Sequence, residues 1–189
     1  MKNNLFMLTI WSIASLLCLS ITTSSPSWAG FQEGLTALEE GNYAKAVSLF
    51  TPLAEDGNFK AQFNLGLCYH KGEGGLNDPQ RAAMWYRLAA GKGDPRAQYN
   101  LGLMYMKGAG VGEDYSQAGR WFLQAAQQGY ARAQYNLSIM YNEGLGRPLN
   151  YSKAMQWNFR AKRNGFVKGK NNLDHLGFTR TLADFYKSD

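Results

Sequence analysis

Three pairs of a basic residue and an asparagine four positions later have the side chains best suited to hold a ligand. The pairs are Lys60–Asn64, Arg96–Asn100 and Arg132–Asn136, with Tyr99 and Tyr135 beside the second and third. A lysine or arginine forms charge-assisted hydrogen bonds to a carboxylate, and an asparagine amide can bond an extended peptide backbone. We predict a partner-binding groove from these eight residues. The alternative is that the asparagines bond backbone between neighbouring segments and the cations are solvated.

Residue combinations typical of catalysis or metal binding are missing from the sequence. His70 and His175 are the only histidines, and neither a His-Glu-x-x-His nor a Cys-x-x-Cys motif occurs. The glycine-rich loops lack the Lys-Ser/Thr of a phosphate-binding loop, and no acylation motif or nucleophile elbow is present. Cys68 precedes His70 by two residues, which on a helix directs the side chains about 200° apart. We therefore predict no metal, no cofactor and no enzymatic activity.

The paired residues recur because much of the chain repeats with a period of 36 residues. Trp85, Trp121 and Trp157 show this spacing, as do sets of alanine, glutamine, leucine, tyrosine and glycine positions. Internal repeats of this length are typical of stacked supersecondary units. The sequence divides into a shortened, atypical repeat at 30–60 and full repeats at 61–96, 97–132 and 133–168.

Each repeat has the pattern of a helix, a loop, a second helix and a turn. In the first helix Ala97, Leu101 and Tyr105 lie four residues apart and form one apolar stripe. Glycines then end the first helix. In the repeat 61–96, Asp78-Pro79 has the residue types of the start of the second helix. One hairpin cannot bury its apolar stripe alone, whereas stacked hairpins bury their stripes between neighbours. The predicted fold class is all-α, a solenoid of helix hairpins.

The two ends of the chain differ from the repeats. Residues 1–29 combine Lys2, an apolar stretch and a small-residue end at Ala29, the order of a secretory signal peptide. We expect a secreted or periplasmic protein after cleavage near Ala29, with an uncleaved anchor as the alternative. Cleavage would leave Cys68 as the single cysteine, which cannot form an intramolecular disulfide. Residues 169–189 are predicted to form a C-terminal capping helix.

The repeat closely resembles the Sel-1-like repeat, a relative of the tetratricopeptide repeat. The stretch 97–105 carries the pattern Ala-x-x-Asn-Leu-Gly-x-x-Tyr, and a Gly-x-Gly loop, Asp114, Ala118, Trp121 and a pair of alanines follow. The match covers 61–168 well and 31–60 partly, with Ser138 in place of the family glycine. The resemblance implies a right-handed superhelix whose first helices line an inner surface that binds proteins or peptides. Together with the missing catalytic motifs and the predicted signal peptide, the resemblance leads us to predict a non-enzymatic scaffold of the bacterial envelope.

The resemblance also raises an alternative function. Some cysteine-rich Sel-1-like proteins are similar to penicillin binders, which would make this chain an enzyme or binder acting on cell-wall or β-lactam-like amides. The chain lacks their paired cysteines and any evident nucleophile. Peptidoglycan or β-lactam turnover would distinguish this alternative from a scaffold.

Charge is unevenly distributed along the 189 residues. Hydrophobic residues make up 45% and charged residues 18%, which excludes a charge-rich disordered chain. The net charge is +6, and residues 147–189 alone carry nine lysines or arginines against three acidic residues. This basic end could contact an acidic cell-wall polymer or an anionic membrane surface, or it could be a solubilising cap. No nucleic-acid partner is expected, because no nucleic-acid-binding module is evident.

Overall fold

The computed structural model describes residues 26–72 and 76–166, which form eight helices and no strand. The helices are α1 Pro26–Glu39, α2 Tyr43–Glu55, α3 Phe59–Lys71, α4 Pro79–Gly91, α5 Pro95–Lys107, α6 Tyr115–Gln127, α7 Ala131–Glu143 and α8 Tyr151–Arg163. Each helix packs mainly against its neighbours in the sequence. The prediction of an all-α solenoid of helix hairpins is therefore confirmed. The predicted capping helix at 169–189 and residues 1–25 of the predicted signal peptide lie outside the described residues.

The second helix of each full repeat begins at a polar capping residue. Asp78, Asp114 and Asn150 each accept a hydrogen bond at 2.9 Å from the backbone N–H three residues later. These bonds satisfy one of the free N–H groups of the first helical turn. At the other end of the loop, Gly108 and Gly144 end the first helix in the left-handed conformation, with φ of 66° and 70°. The loops thus set where each hairpin turns back.

A close contact between a glycine and an aromatic ring joins the two helices of the first three hairpins. A Cβ added to Gly102 would lie 2.7 Å from Phe122, and Gly34 and Gly66 show the same spacing to their partner rings. The three pairs are Gly34–Phe50, Gly66–Tyr86 and Gly102–Phe122. The equivalent positions of the last hairpin hold Ser138 and Asn158, both buried. In the last hairpin, therefore, Ser138 replaces the glycine and Asn158 replaces the large ring.

Buried glutamines tie each hairpin to the preceding one. The Nε2 atoms of Gln62, Gln98 and Gln134 donate to main-chain carbonyls at the end of the preceding helix, at 2.9, 3.2 and 3.0 Å. The Oε1 atom of Gln98 accepts from Gln128 at 2.8 Å, and that of Gln134 accepts from Asn164 at 3.0 Å. Within the described part of the chain, Oε1 of Gln62 is buried without a partner. Because these bonds hold successive hairpins in register, they also set the spacing of the first helices.

Small side chains let the helices approach closely. Ala82 and Ala89 on α4 are fully buried, as are their equivalents on α6 and α8. The tryptophans Trp85, Trp121 and Trp157 are half-buried and pack against the hydrophobic core. Alanine at the closest approach and a large ring beside it is a packing typical of helix pairs.

Candidate functional site

The predicted groove residues lie on the first helices α3, α5 and α7 at equivalent positions. Their exposure differs by residue type. The cations Lys60, Arg96 and Arg132 are exposed. Among the amides, Asn100 and Asn136 are half-buried, whereas Asn64 is only 6% exposed and has little surface to offer a ligand. The face therefore presents its basic side chains to solvent and keeps its amides closer to the core.

Arg96 is held by a buried aspartate of its own helix start. Its Nη2 and Nε atoms donate to the Asp94 carboxylate at 2.7 and 3.2 Å, and Asp94 is only 3% exposed. The guanidinium also lies over the Phe63 ring, 4.2 Å from the ring centroid. Asp94 in turn caps α5 by accepting from the backbone N–H groups of Arg96 and Ala97. Arg96 is therefore a structural residue as well as a candidate ligand residue.

Arg132 and Asn136 both interact with the Tyr99 ring of the preceding repeat. Burial raises the pKa of Tyr99, and the neighbouring Tyr130 adds to the rise. The positive charge of Arg132 and a hydrogen bond from Asn136 oppose it. The Tyr130 and Tyr99 ring centroids are 5.3 Å apart. The structure thus brings three predicted residues, Tyr99, Arg132 and Asn136, into one cluster between two repeats.

Asn100 lies near the Tyr86 hydroxyl of the neighbouring second helix. Burial raises the pKa of Tyr86, and hydrogen bonding by Asn100 opposes the rise. The contact is weaker than a standard hydrogen bond, because the buried Tyr86 Oη has no partner within standard geometry. The alternative interpretation has the repeated asparagines bonding backbone between neighbouring segments, whereas the side chains of Asn100 and Asn136 contact tyrosine side chains.

Tyr135 is the predicted residue least able to reach a ligand. It is 3% exposed, and its ring packs against Phe166 with the centroids 4.7 Å apart. Burial raises its pKa, and the charge of Glu143 adds to the rise. Its size and burial mark it as a packing residue between the last two described helices.

Two lysines at the opposite ends of α3 and α5 extend the basic character of this face. Lys71 and Lys107 are exposed and lie eleven residues after Lys60 and Arg96, in the same helical register. Partial burial lowers the pKa of His70, which directly precedes Lys71, and the charges of Lys107 and Lys71 lower this pKa further. The equivalent position on α7 holds Glu143. The eight predicted groove residues do not include these lysines, although the 36-residue register is the signal that identifies them.

The basic end of the chain is only partly within the described residues. Arg147 lies over the Tyr141 ring at 4.6 Å, and Lys153 lies 5.5 Å from the same ring. The last turn of α8 carries Arg160, Lys162 and Arg163, all exposed. The cations from Lys168 onward lie outside the described part of the chain.

Metal ligands and the cysteine thiol were the remaining candidates for chemistry in the described ranges 26–72 and 76–166. Within them, no group of three or more histidine, cysteine, aspartate or glutamate side chains is placed to hold a metal ion. Cys68 is buried, and burial raises the pKa of its thiol to about 11. The helices there are also too short or too polar to cross a membrane.

Comparison with known proteins identifies the repeat. The family model for the Sel1 repeat matches residues 29–58, 59–94, 95–130 and 131–166. Each of the last three matches spans one full hairpin, α3–α4, α5–α6 or α7–α8, and the first spans most of α1–α2. Among proteins of curated function, none matches this chain.

Solved structures agree with the family model. A Sel1 repeat protein from Oxalobacter formigenes is 33% identical, with a TM-score of 0.67 over 71% of this chain and 56% of that one. The protein c5321, a protective antigen of uropathogenic Escherichia coli with an SLR fold, is 32% identical, with a TM-score of 0.74 over 95% of this chain and 37% of that one. The cysteine-rich protein B of Helicobacter pylori, 16% identical with a TM-score of 0.54, shares the fold. This chain spans less than two thirds of either of the first two proteins, but its own four repeats place it in the Sel1 repeat family.

Proposed function

We propose that this chain is a non-enzymatic scaffold that binds an acidic segment of a protein partner on the face formed by α3, α5 and α7. Sel1 repeats generally mediate protein–protein interaction and are generally non-catalytic. The observation that carries the proposal is the charge of this face. Of its six end positions, five are basic, Lys60, Lys71, Arg96, Lys107 and Arg132, and one is acidic, Glu143.

The scaffold would act through a surface that is already formed. Gln98 and Gln134 bond to the preceding helix and accept from the following one, so the spacing between first helices is fixed before a partner arrives. A preformed surface avoids much of the ordering cost of binding. Within it, we assign the direct contacts to the exposed cations, and we assign Asn100 and Asn136 to positioning Tyr86 and Tyr99 beside them.

The cleanest test of this face is Arg132→Ala. Arg132 is exposed and affects Tyr99 only through its charge, whereas Arg96 also neutralises the buried Asp94. The matched control is Arg120→Ala, which removes an exposed arginine from the second helix α6. Partner proteins would be captured on each variant from an envelope extract and identified by mass spectrometry.

The expected result is that the Arg132 variant binds the captured partner about tenfold more weakly, as for a central interface arginine. The Arg120 variant should bind as the wild type does, and both should keep the wild-type melting temperature. Binding of the wild type should also weaken with added salt. Equal binding by both variants would remove the basis of the proposed face.

We propose export as the setting of this function. The predicted cleavage point after Ala29 falls in the first turn of α1, which begins at Pro26. Sequencing the N-terminus of the protein isolated from its cells tests this proposal. A mature chain beginning at Gly30 is expected, and one that retains Met1 would contradict cleavage.

The basic end is a second candidate surface, for an acidic cell-wall polymer or an anionic membrane. The exposed side chains of Lys162 and Arg163 in the last turn of α8 favour it. Replacing both with glutamine should reduce binding to purified cell wall or to anionic vesicles at low salt. Unchanged binding would leave the end as a solubilising cap.

A further inference from the structure

A cleft of about 460 Å³ opens between the start of α1 and the start of α3. Its aromatic lining consists of Phe31, which is 8% exposed, Phe59, which is 38% exposed, and Trp28, which is 55% exposed. Trp28 and Phe31 stack with their centroids 6.3 Å apart. Asp56, Gly57, Asn58 and Lys60 complete the lining. Two large rings are thus left in contact with water around one cavity.

The repeats show what occupies the equivalent space elsewhere in the chain. The aromatic residues at the position of Phe31 in the following repeats are Phe63, Tyr99 and Tyr135. Each is covered by a planar group: for Phe63 and Tyr99 it lies at the start of the next first helix, and for Tyr135 it is Phe166, 36 residues after Tyr130. The covering groups are the guanidinium of Arg96 at 4.2 Å, the ring of Tyr130 at 5.3 Å and the ring of Phe166 at 4.7 Å.

The first repeat has no ring or guanidinium at this position, and Phe31 stacks with Trp28 of its own helix instead. The position that holds Tyr130 and Phe166 in the later repeats, and Asp94 in the second, holds Asn58 here. Asn58 is exposed, and its side chain accepts hydrogen bonds from the backbone N–H groups of Lys60 and Ala61 at 3.0 and 3.2 Å. It caps α3, so it leaves the space beside Phe31 unfilled.

We propose that this cleft binds an aromatic side chain of the protein partner, in the place that Tyr130 and Phe166 take in the later repeats. The proposal rests on the proposed function, because the occupant belongs to that partner. The cleft is continuous with the proposed face, since Lys60 belongs to both. An arginine is the less suitable occupant, because the buried Asp94 that holds Arg96 at the equivalent space is replaced here by the neutral Asn58, and the charges of Asp56 and Lys60 in the lining oppose each other.

Signal cleavage after Ala29 would alter one wall only. It would remove Trp28, make Phe31 the second residue of the mature chain and retain residues 56–60. The experiment therefore uses the protein as its cells process it, and its variants are placed in the part of the cleft that remains.

The decisive variant is Asn58→Tyr, which copies the later repeat into the first. Asn58 has φ −67° and ψ 107°, and Tyr130 has φ −68° and ψ 102°, so the backbone already accommodates a tyrosine there. The new ring should fill the cleft from within. Asn58→Ala is the matched control, because it also removes the cap of α3 but leaves the cleft open.

The probe is N-acetyltyrosinamide, with N-acetylleucinamide as the aliphatic control, and binding is followed by the NMR shifts of the backbone amides of residues 56–60. The wild type and the alanine variant should respond to the tyrosine probe, and the tyrosine variant should not. Phe59→Ala, which matches Ala131 of the third repeat, should weaken the response while the protein stays folded. An unchanged response in the tyrosine variant, equal shifts with the leucine probe, or no response in the wild type would overturn the proposal.

Partner capture separates this proposal from the proposed function. If both hold, Asn58→Tyr and Arg132→Ala each weaken capture. If Asn58→Tyr captures the partner as well as the Asn58→Ala control does while Arg132→Ala does not, the aromatic anchor is wrong and the basic face stands. If neither the Asn58→Tyr nor the Arg132→Ala variant loses capture, both proposals fail.

Discussion

Replacing Gly102 with alanine tests the contact that joins the two helices of a hairpin. An added Cβ would lie 2.7 Å from the Cδ1 and Cε1 atoms of Phe122. Carbon atoms pack at about 3.5–4.0 Å, so the ring must move by roughly 1 Å. Phe122 is fully buried, and the atoms around it leave no space for that movement.

The magnitude is the balance of two opposing terms. Overpacking a well-filled core costs about 1–3 kcal/mol, and a fully buried ring that must shift belongs to the upper part of that range. Alanine in place of glycine within a helix returns roughly 0.5–1 kcal/mol. The net loss for Gly102→Ala is therefore about 1–2 kcal/mol. For a chain of this size that corresponds to a fall in melting temperature of about 2–8 °C.

Gly91→Ala is the matched control, since Gly91 also lies in a helix but has no atom within 4 Å of an added Cβ. Thermal and urea unfolding followed by circular dichroism would measure both variants, and Gly91→Ala should be neutral or stabilising. In the background of Phe122→Leu, which removes the ring, Gly102→Ala should cost at least about 1 kcal/mol less. Equal stability changes in the two backgrounds would refute the role given to the ring.

Three further predictions follow from buried groups. Lys92→Asn copies Asn164, which bonds both a turn carbonyl and a repeated glutamine. The new amide should donate to the unpaired Oε1 of Gln62, so the free energy of unfolding measured in urea should rise by about 1 kcal/mol. Tyr86→Phe removes a buried hydroxyl that lacks a standard partner, so stability should stay the same or rise by up to about 1 kcal/mol, and a large loss would contradict that geometry. Cys68 should resist alkylation at pH 8 until the protein unfolds; because burial raises its pKa from 9.0 to about 11, the thiol's contribution to stability should be complete below pH 9 and lost as pH rises toward 11.

The sequence was sufficient for the architecture because the repeat signal is carried by packing residues. Alanines, glycines and capping aspartates recur at a fixed period, and each has one physical role in a helix hairpin. The departure at Ser138 became interpretable only with the fold, since its partner position, Asn158, is twenty residues away in the sequence. A period identifies equivalent positions, but it does not say which positions from two different helices face each other.

The candidate site was less predictable because the direction of a long polar side chain depends on local partners. The period placed Arg96 and Arg132 in the same class, yet Arg96 bonds to the buried Asp94, whereas the equivalent residue before Arg132 is Tyr130. The Asp-Pro-Arg sequence was the available signal for this difference. The cleft beside Phe31 could not be predicted from the sequence. Asn58 is smaller than the rings at the equivalent positions of the later repeats, and the structure is needed to show what those rings contact.

Comparison among the repeats themselves separates packing from recognition. A residue that recurs in every repeat meets the same neighbours each time, as the glutamines do when they bond the preceding helix. The repeated asparagines contact tyrosines at non-equivalent positions, Tyr86 for Asn100 and Tyr99 for Asn136, and these contacts are within the protein. Recognition of one particular partner requires surface that differs between repeats, because identical subsites cannot fix the register of a bound segment. The position of Asn58 differs in all four repeats, and for that reason the cleft beside it, rather than the repeated asparagines, is where the register of a partner would be set.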